Sequence, residues 1–177
     1  LIHDDVMDRD HTRRNRPTVW SIWGDAAAIN TGDLMYSLAM SSMGDVMPEQ
    51  PRRALQATSN LLDTCIEVIL GQQLDLDFES RDDVSVAEYE NMAESKTASL
   101  IATALEIGAI IGGASTEVAM LYRGLGRSMG LIFQMRDDYL GIWGDPRDVG
   151  KSTGADIKRK KKSLPIIMLF NRVNKND

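Results

Sequence analysis

The chain is poor in the residues that mark several functional classes. It has one cysteine, Cys65, which excludes an internal disulfide and fits a reducing cytoplasm. Its two histidines, His3 and His11, are too few for a zinc centre or for a His-Asp phosphohydrolase, both of which need more imidazole or thiolate ligands. Basic residues are outnumbered, with 20 Lys and Arg against 26 Asp and Glu, and the net charge of −6 argues against nonspecific nucleic-acid binding. Aromatics are scarce at 6%. The longest apolar stretch, from Thr97 to Tyr122, carries Glu106 and Glu117 and is broken at Gly112-Gly113-Ala114-Ser115, so no run is long enough to span a membrane. No low-complexity segment is present.

What remains is a globular composition, 43% hydrophobic and 26% charged over 177 residues, enough for one domain with a real core. Ten methionines suit a packed helical interior. The periodicity predicts an all-α chain. One helical run is expected from about Thr18 to Ser42 and a turn from Asp45 to Pro51. A second helix is expected from about Arg52 to Phe78, and a polar connection over Glu79 to Val84. Ser85-Val86-Ala87-Glu88 reads as a capping box opening a helix that continues to about Ile111. A further helix is expected from about Glu117 to Leu140, then a Gly/Pro/Asp-rich loop over Gly141 to Ala155, then a last helix with Pro165 in its first turn. Gly32-Asp33 in mid-helix predicts close helix packing. The helix over Thr97 to Ile111 suits a core or a dimer interface equally. No segment alternates like a strand.

Two acidic clusters stand out. In Leu1-Ile2-His3-Asp4-Asp5-Val6-Met7-Asp8, a helix puts Asp4 and Asp8 one turn apart on one face, where like charges repel. Phe133-Gln134-Met135-Arg136-Asp137-Asp138-Tyr139-Leu140 repeats the composition far downstream. Two such clusters, each in an apolar helical context, read as two walls of a metal site, and oxygen-only ligands favour Mg²⁺ completed by substrate phosphate. Arg13, Arg14, Lys96, Lys151 and Lys161 supply cations suited to phosphate oxygens. Carboxylates for magnesium mixed with several cations describe a pocket for a diphosphate. The run Lys158 to Lys162 is otherwise read as a solvated basic face.

These residues resemble the trans-isoprenyl diphosphate synthases, the head-to-tail prenyl elongases. The resemblance covers the chain in order. It starts at Asp4-Asp5-Val6-Met7-Asp8 with Arg13-Arg14 after it, then Gly32-Asp33, Gly71-Gln72-Gln73-Leu74-Asp75 and Lys96-Thr97. It closes with Phe133-Gln134-x-x-Asp137-Asp138-Tyr139-Leu140, Gly150-Lys151, and Asp156 through Lys161 to Leu164-Pro165. It implies a terpenoid-synthase-type helical bundle around a central cavity, one partial domain over residues 1–177. It also implies a Mg²⁺-dependent condensation of an allylic diphosphate with isopentenyl diphosphate to a longer trans-polyprenyl diphosphate. Asp4, Asp8 and Asp137 would hold the metal, supported by Asp5, Asp138 and Asp75. Arg13, Lys96 and Lys151 would grip the allylic diphosphate, with Lys161 near it and Thr97 and Gln134 at the reacting centre. Arg14 and Phe133 would serve the isopentenyl substrate. Family members are commonly dimers, so a homodimer is expected.

The match departs at Gly141, where a third aspartate of the second cluster usually stands, the next acid being Asp145. Asn15 replaces a common glycine. The chain opens at Leu1 inside a motif, and the family's Gly-Lys-x-x-Arg element and isopentenyl-binding histidine are not in it, so truncation at the N-terminus and a short C-terminus are expected. The alternatives are a class I terpene cyclase of the same fold, against which Arg13-Arg14 and Gly150-Lys151 argue, and a non-catalytic partner subunit of a synthase. By itself the chain is expected to turn over little, since half of the isopentenyl site is missing.

Overall fold

The computed structural model describes residues 1–46, 48–145, 157 and 161–173. The chain opens with a short helix α1 (Ile2–Met7) and a two-residue hairpin, β1 (Thr12–Arg13) antiparallel to β2 (Arg16–Pro17). Arg14 and Asn15 at the hairpin tip have φ of 52° and 60°. Positive φ at both central positions is the type I′ loop, a conformation that Asn tolerates and that explains why glycine suits position 15. This hairpin corrects the expectation of a chain without strands; two residues per strand are too few to show alternation.

The expected single run from Thr18 is two helices. α2 (Val19–Trp23) stops at Gly24, whose φ of 84° takes the chain out of the helical region, and α3 (Asp25–Val46) starts directly after it. α4 (Pro51–Glu79) has Pro51 at its first position, where the missing N–H costs nothing. α5 (Val86–Ala93) carries the capping box in full: Ser85 Oγ accepts from the Glu88 N–H, and Ser85 N–H donates to the Glu88 carboxylate. Those Ser85 donors hold the Glu88 carboxyl down at about 2. The helix then widens into a π turn over Glu94–Ala98 before α6 (Ser99–Ile111). α7 (Thr116–Trp143) runs straight through Gly141 and ends at Gly144, so the loop starts later than expected. α8 (Leu164–Val173) closes the described chain.

α6 lies between α4 and α7. Its buried side, Ala102, Thr103, Glu106, Ile107 and Ile110, makes it a core helix. The α6–α7 seam is set by small residues. A Cβ at Gly126 would stand 2.6 Å from Ala102 Cα, and one at Gly130 would press on Ala98 in the same way. Thr64 of α4 and Thr103 of α6 share a buried hydroxyl contact of 2.6 Å. On the same seam Arg123 bonds Glu106 at 2.7 Å, and Arg127 pairs with Glu94. A separate apolar cluster of Phe78, Val84, Tyr89, Met92, Ala93 and Ile167 joins α4, α5 and α8.

The seam yields a paired expectation. Gly130→Ala forces backbone apart and should cost about 1–3 kcal/mol in urea unfolding. Gly108→Ala, on an open face of α6 with no atom near the added methyl, should be neutral or stabilising by about 0.5–1 kcal/mol. Equal effects of the two changes would refute the packing assignment.

Candidate active site

The first wall is α1 docked on α3. His3 Nε2 lies 3.0 Å from the Ile29 carbonyl oxygen, and its ring covers Gly32, where any Cβ would collide with it. At the other end of α1, Arg9 grips Asp25 through two bonds of 2.8 and 2.9 Å. The hairpin then folds Arg13 back over the acids: its guanidinium donates to Asp5 at 2.5 Å and to Asp4 at 2.8 Å. Asp5 is buried beneath it.

The second wall is α4 with the π turn. Gly71 has no room for a side chain because the Lys96 backbone lies against it. That approach delivers Lys96 Nζ to within 2.5 Å of Asp75 and 3.5 Å of Asp4. One ammonium thus spans carboxylates from α1 and α4. The extra residue of a π turn rotates the downstream side chains about the helix axis, a common device at functional positions. Here it also aims Thr97 Oγ1 at Gln134 Oε1, 2.6 Å away on α7.

The third wall is α7. Asp138 is 2% exposed, and both its oxygens are occupied: Gln134 Nε2 donates at 2.9 Å, Tyr89 Oη at 2.7 Å and the Leu164 N–H at 2.9 Å. Asp138 therefore ties α5, α7 and α8 together beside half-buried Asp137. The charge of Lys161, just before α8, adds to the lowering of the Asp4 carboxyl and opposes the rise at Asp8 and Asp138.

The buried carboxyls differ in protonation tendency. Burial opposes the charge on Asp4, but Lys96 and Arg13 hold its carboxyl below the usual range. Asp8 goes the other way, pushed up by burial and by the Asp4 charge against the opposing charges of Lys96 and Lys161. Burial also pushes Asp138 up, against the donors from Leu164, Tyr89 and Gln134. Burial and Asp138 together keep the Tyr89 hydroxyl protonated.

Of the other expected residues, Arg14 is exposed at the hairpin tip and Phe133 is 53% exposed on α7. Lys151, with Gly150 and Asp156, lies outside the described residues. Gly141 sits within the last turn of α7, and Asp145 comes directly after Gly144. Among the described residues, no three acidic, histidine or cysteine side chains converge on one point. Tyr89 and the π turn were not foreseen. A lone tyrosine in a capped helix carries no signal of its partner 49 residues away, and a π turn has no residue signature.

An all-α bundle whose acidic helices face a shared set of cations has the architecture of the isoprenoid-synthase fold. The polyprenyl synthetase family model matches residues 1–177, and the chain belongs to that family. It is 47% identical over 166 residues to a (2E,6E)-farnesyl diphosphate synthase of Mycobacterium tuberculosis, covering 94% of this chain and 45% of that one. It is 45% identical over 177 residues to a geranylgeranyl diphosphate synthase of Methanosarcina mazei, covering 100% and 54%. A geranylgeranyl pyrophosphate synthase from Corynebacterium glutamicum, crystallised with isoprenyl diphosphate and magnesium, superposes with a TM-score of 0.88 at 32% identity, covering 99% of this chain and 54% of that one. The chain spans about half the length of the curated relatives it matches.

Asp138 provides a test with a pH signature. Its folded carboxyl binds a proton more tightly than the unfolded one, so it lowers stability as pH rises from the ordinary carboxylate value through the raised one. Tyr89→Phe removes a donor from the ionised form and should cost about 1–3 kcal/mol near neutral pH. The loss should shrink as the pH falls and Asp138 protonates. Unfolding curves for the variant and parent at pH 8 and pH 4.5 measure it, and a loss independent of pH would count against the assignment.

Proposed function

We propose that the protein is a magnesium-dependent prenyltransferase that joins an allylic diphosphate to isopentenyl diphosphate and releases a longer trans-polyprenyl diphosphate. The observation that carries this reading is the meeting of Asp4, Asp75 and Lys96, with Lys161 in range of both acidic clusters. Membership of the polyprenyl synthetase family and the named activities of the relatives support it.

The donor set fits magnesium. It is made of oxygens alone, and Asp8 is a half-buried carboxylate destabilised by burial and by Asp4. Asp4 and Asp8 on one wall and Asp137 on the other would hold the ions, each through one or two carboxylates, with diphosphate oxygens and waters filling the remaining positions. Asp5, Asp75 and Asp138 are engaged by Arg13, Lys96, Tyr89 and Gln134 and would orient the ligating groups and cations around the ions. Bound magnesium would supply Lewis-acid stabilisation of the departing diphosphate.

The chain's own cations do the rest. As the allylic C–O bond breaks, negative charge grows on the diphosphate, where Arg13, Lys96, Lys151 and Lys161 would stabilise it. Arg13 and Lys96 are pre-placed by carboxylates, so they need no reorganisation to meet that charge. The allylic cation left behind is attacked by the double bond of isopentenyl diphosphate, and a proton is then lost to the departing diphosphate. Thr97 and Gln134 would border the reacting carbon, their hydroxyl and amide fixed by their mutual bond. Arg14 and Phe133 would serve the isopentenyl substrate from the exposed side. No helix among the described residues is long and apolar enough to cross a membrane. A cytoplasmic homodimer completes the proposal: Cys65 is a free thiol, and exposed Ile66, Ile69 and Leu70 on α4 give a second copy an apolar face.

Incorporation of labelled isopentenyl diphosphate into extractable product, with an allylic co-substrate and Mg²⁺, is the direct test in the full-length protein. Asp8→Asn should lower turnover by about 10²–10³-fold. A cyclic product without label would establish a terpene cyclase instead, and unchanged turnover in Asp8→Asn would remove the metal assignment.

A further inference from the structure

The segment Gly71-Gln72-Gln73-Leu74-Asp75 serves the site at its two ends, Gly71 by admitting Lys96 and Asp75 through the ion pair. Between them lies an unexplained group. Gln72 is 9% exposed, and its Nε2 is buried with no hydrogen-bond partner among the described residues. A buried amide N–H without an acceptor is destabilising, and native proteins retain few of them. A leucine or methionine of similar size would fill the position without that penalty.

Its surroundings narrow the missing partner. Gln72 comes directly after the glycine that lies against the Lys96 backbone and precedes Asp75 by one helical turn, so it belongs to the face of α4 that meets the π turn. The carboxylates on that side, Asp75 and Asp4, are already engaged by Lys96 and Arg13. An unpaired donor one helical turn from the carboxylate that holds the Lys96 ammonium matches an incoming anion, not another cation. We propose that Gln72 Nε2 is a binding group for an anionic oxygen of the diphosphate held at Lys96, and that its lack of a partner is the ligand-free half of that contact. This rests on the proposed diphosphate site. Gln72 stabilises the bound anion by a charge-assisted hydrogen bond and weakens the empty protein.

This predicts opposite effects on stability and binding, which a purely structural residue would not give. In the full-length protein, Gln72→Leu should raise the melting temperature by about 2–4 °C without ligand. It should weaken binding of inorganic pyrophosphate in the presence of Mg²⁺ at least tenfold by calorimetry. Gln72→Met, more adaptable in shape, should behave alike. Unchanged pyrophosphate affinity in a folded variant, with normal binding by the parent, would overturn the role of Gln72 alone. Absence of magnesium-dependent pyrophosphate binding by the parent would overturn the diphosphate reading and this inference with it. Failure of both variants to fold would overturn the inference too, because removing an unpaired donor cannot unfold the protein.

Discussion

Lys96 is held between Asp75 of α4 and Asp4 of α1, 2.5 and 3.5 Å from its ammonium, and the rest of the arrangement depends on that position. Two helices that each bring carboxylates toward one space repel unless positive charge lies between them. An ammonium and a guanidinium fill that role here, with Arg13 on Asp4 and Asp5. Burial raises the stakes, because Coulomb interactions are screened less away from solvent and unpaired charge is costly there. Asp8 shows the other outcome: burial and the Asp4 charge outweigh Lys96 and Lys161, and its carboxyl is pushed toward the protonated form.

The packing exists to hold that position. Gly71 admits the Lys96 backbone, while Gly126 and Gly130 admit Ala102 and Ala98. These close approaches flank the π turn from both sides, α4 on one and α7 on the other. A π turn is a strained way to continue a helix, and it persists where surrounding contacts specify it. Its effect is to bring Lys96 to the acids and Thr97 to Gln134. The polar chain then continues from Gln134 to Asp138, Tyr89 and the Leu164 N–H. Each member has its hydrogen bond, and such a fully satisfied buried network is rigid. The proposed diphosphate chemistry would need cations waiting in place, since their reorganisation would add to the barrier.

Much of this was legible in the sequence. The all-α class, the two acidic clusters, the capping box at Ser85 and Glu88 and the helix boundaries near Pro51, Glu79 and Ile111 come from periodicity and local chemistry. Gly32 in mid-helix signalled close packing, and His3 is what packs there. The break at Gly24 and the run of α7 through Gly141 were misread for one reason. Glycine is both a helix breaker and a tolerated helix residue, and only the backbone angle separates the two, 84° at Gly24 against an unbroken helix at Gly141.

The sequence by itself determined which side chains were available and on which local elements they stand: acids one turn apart, a cation beside them, a second acidic pair on a long helix. Those are short-range matters of spacing and helical geometry. Tertiary structure alone decided that Lys96 bridges α1 and α4, that Tyr89 holds Asp138, and that the Gln72 amide is buried without a partner among the described residues. Such pairings join residues far apart in the chain, and they depend on how closely helices can approach, which is settled by glycines facing backbone rather than by any local pattern.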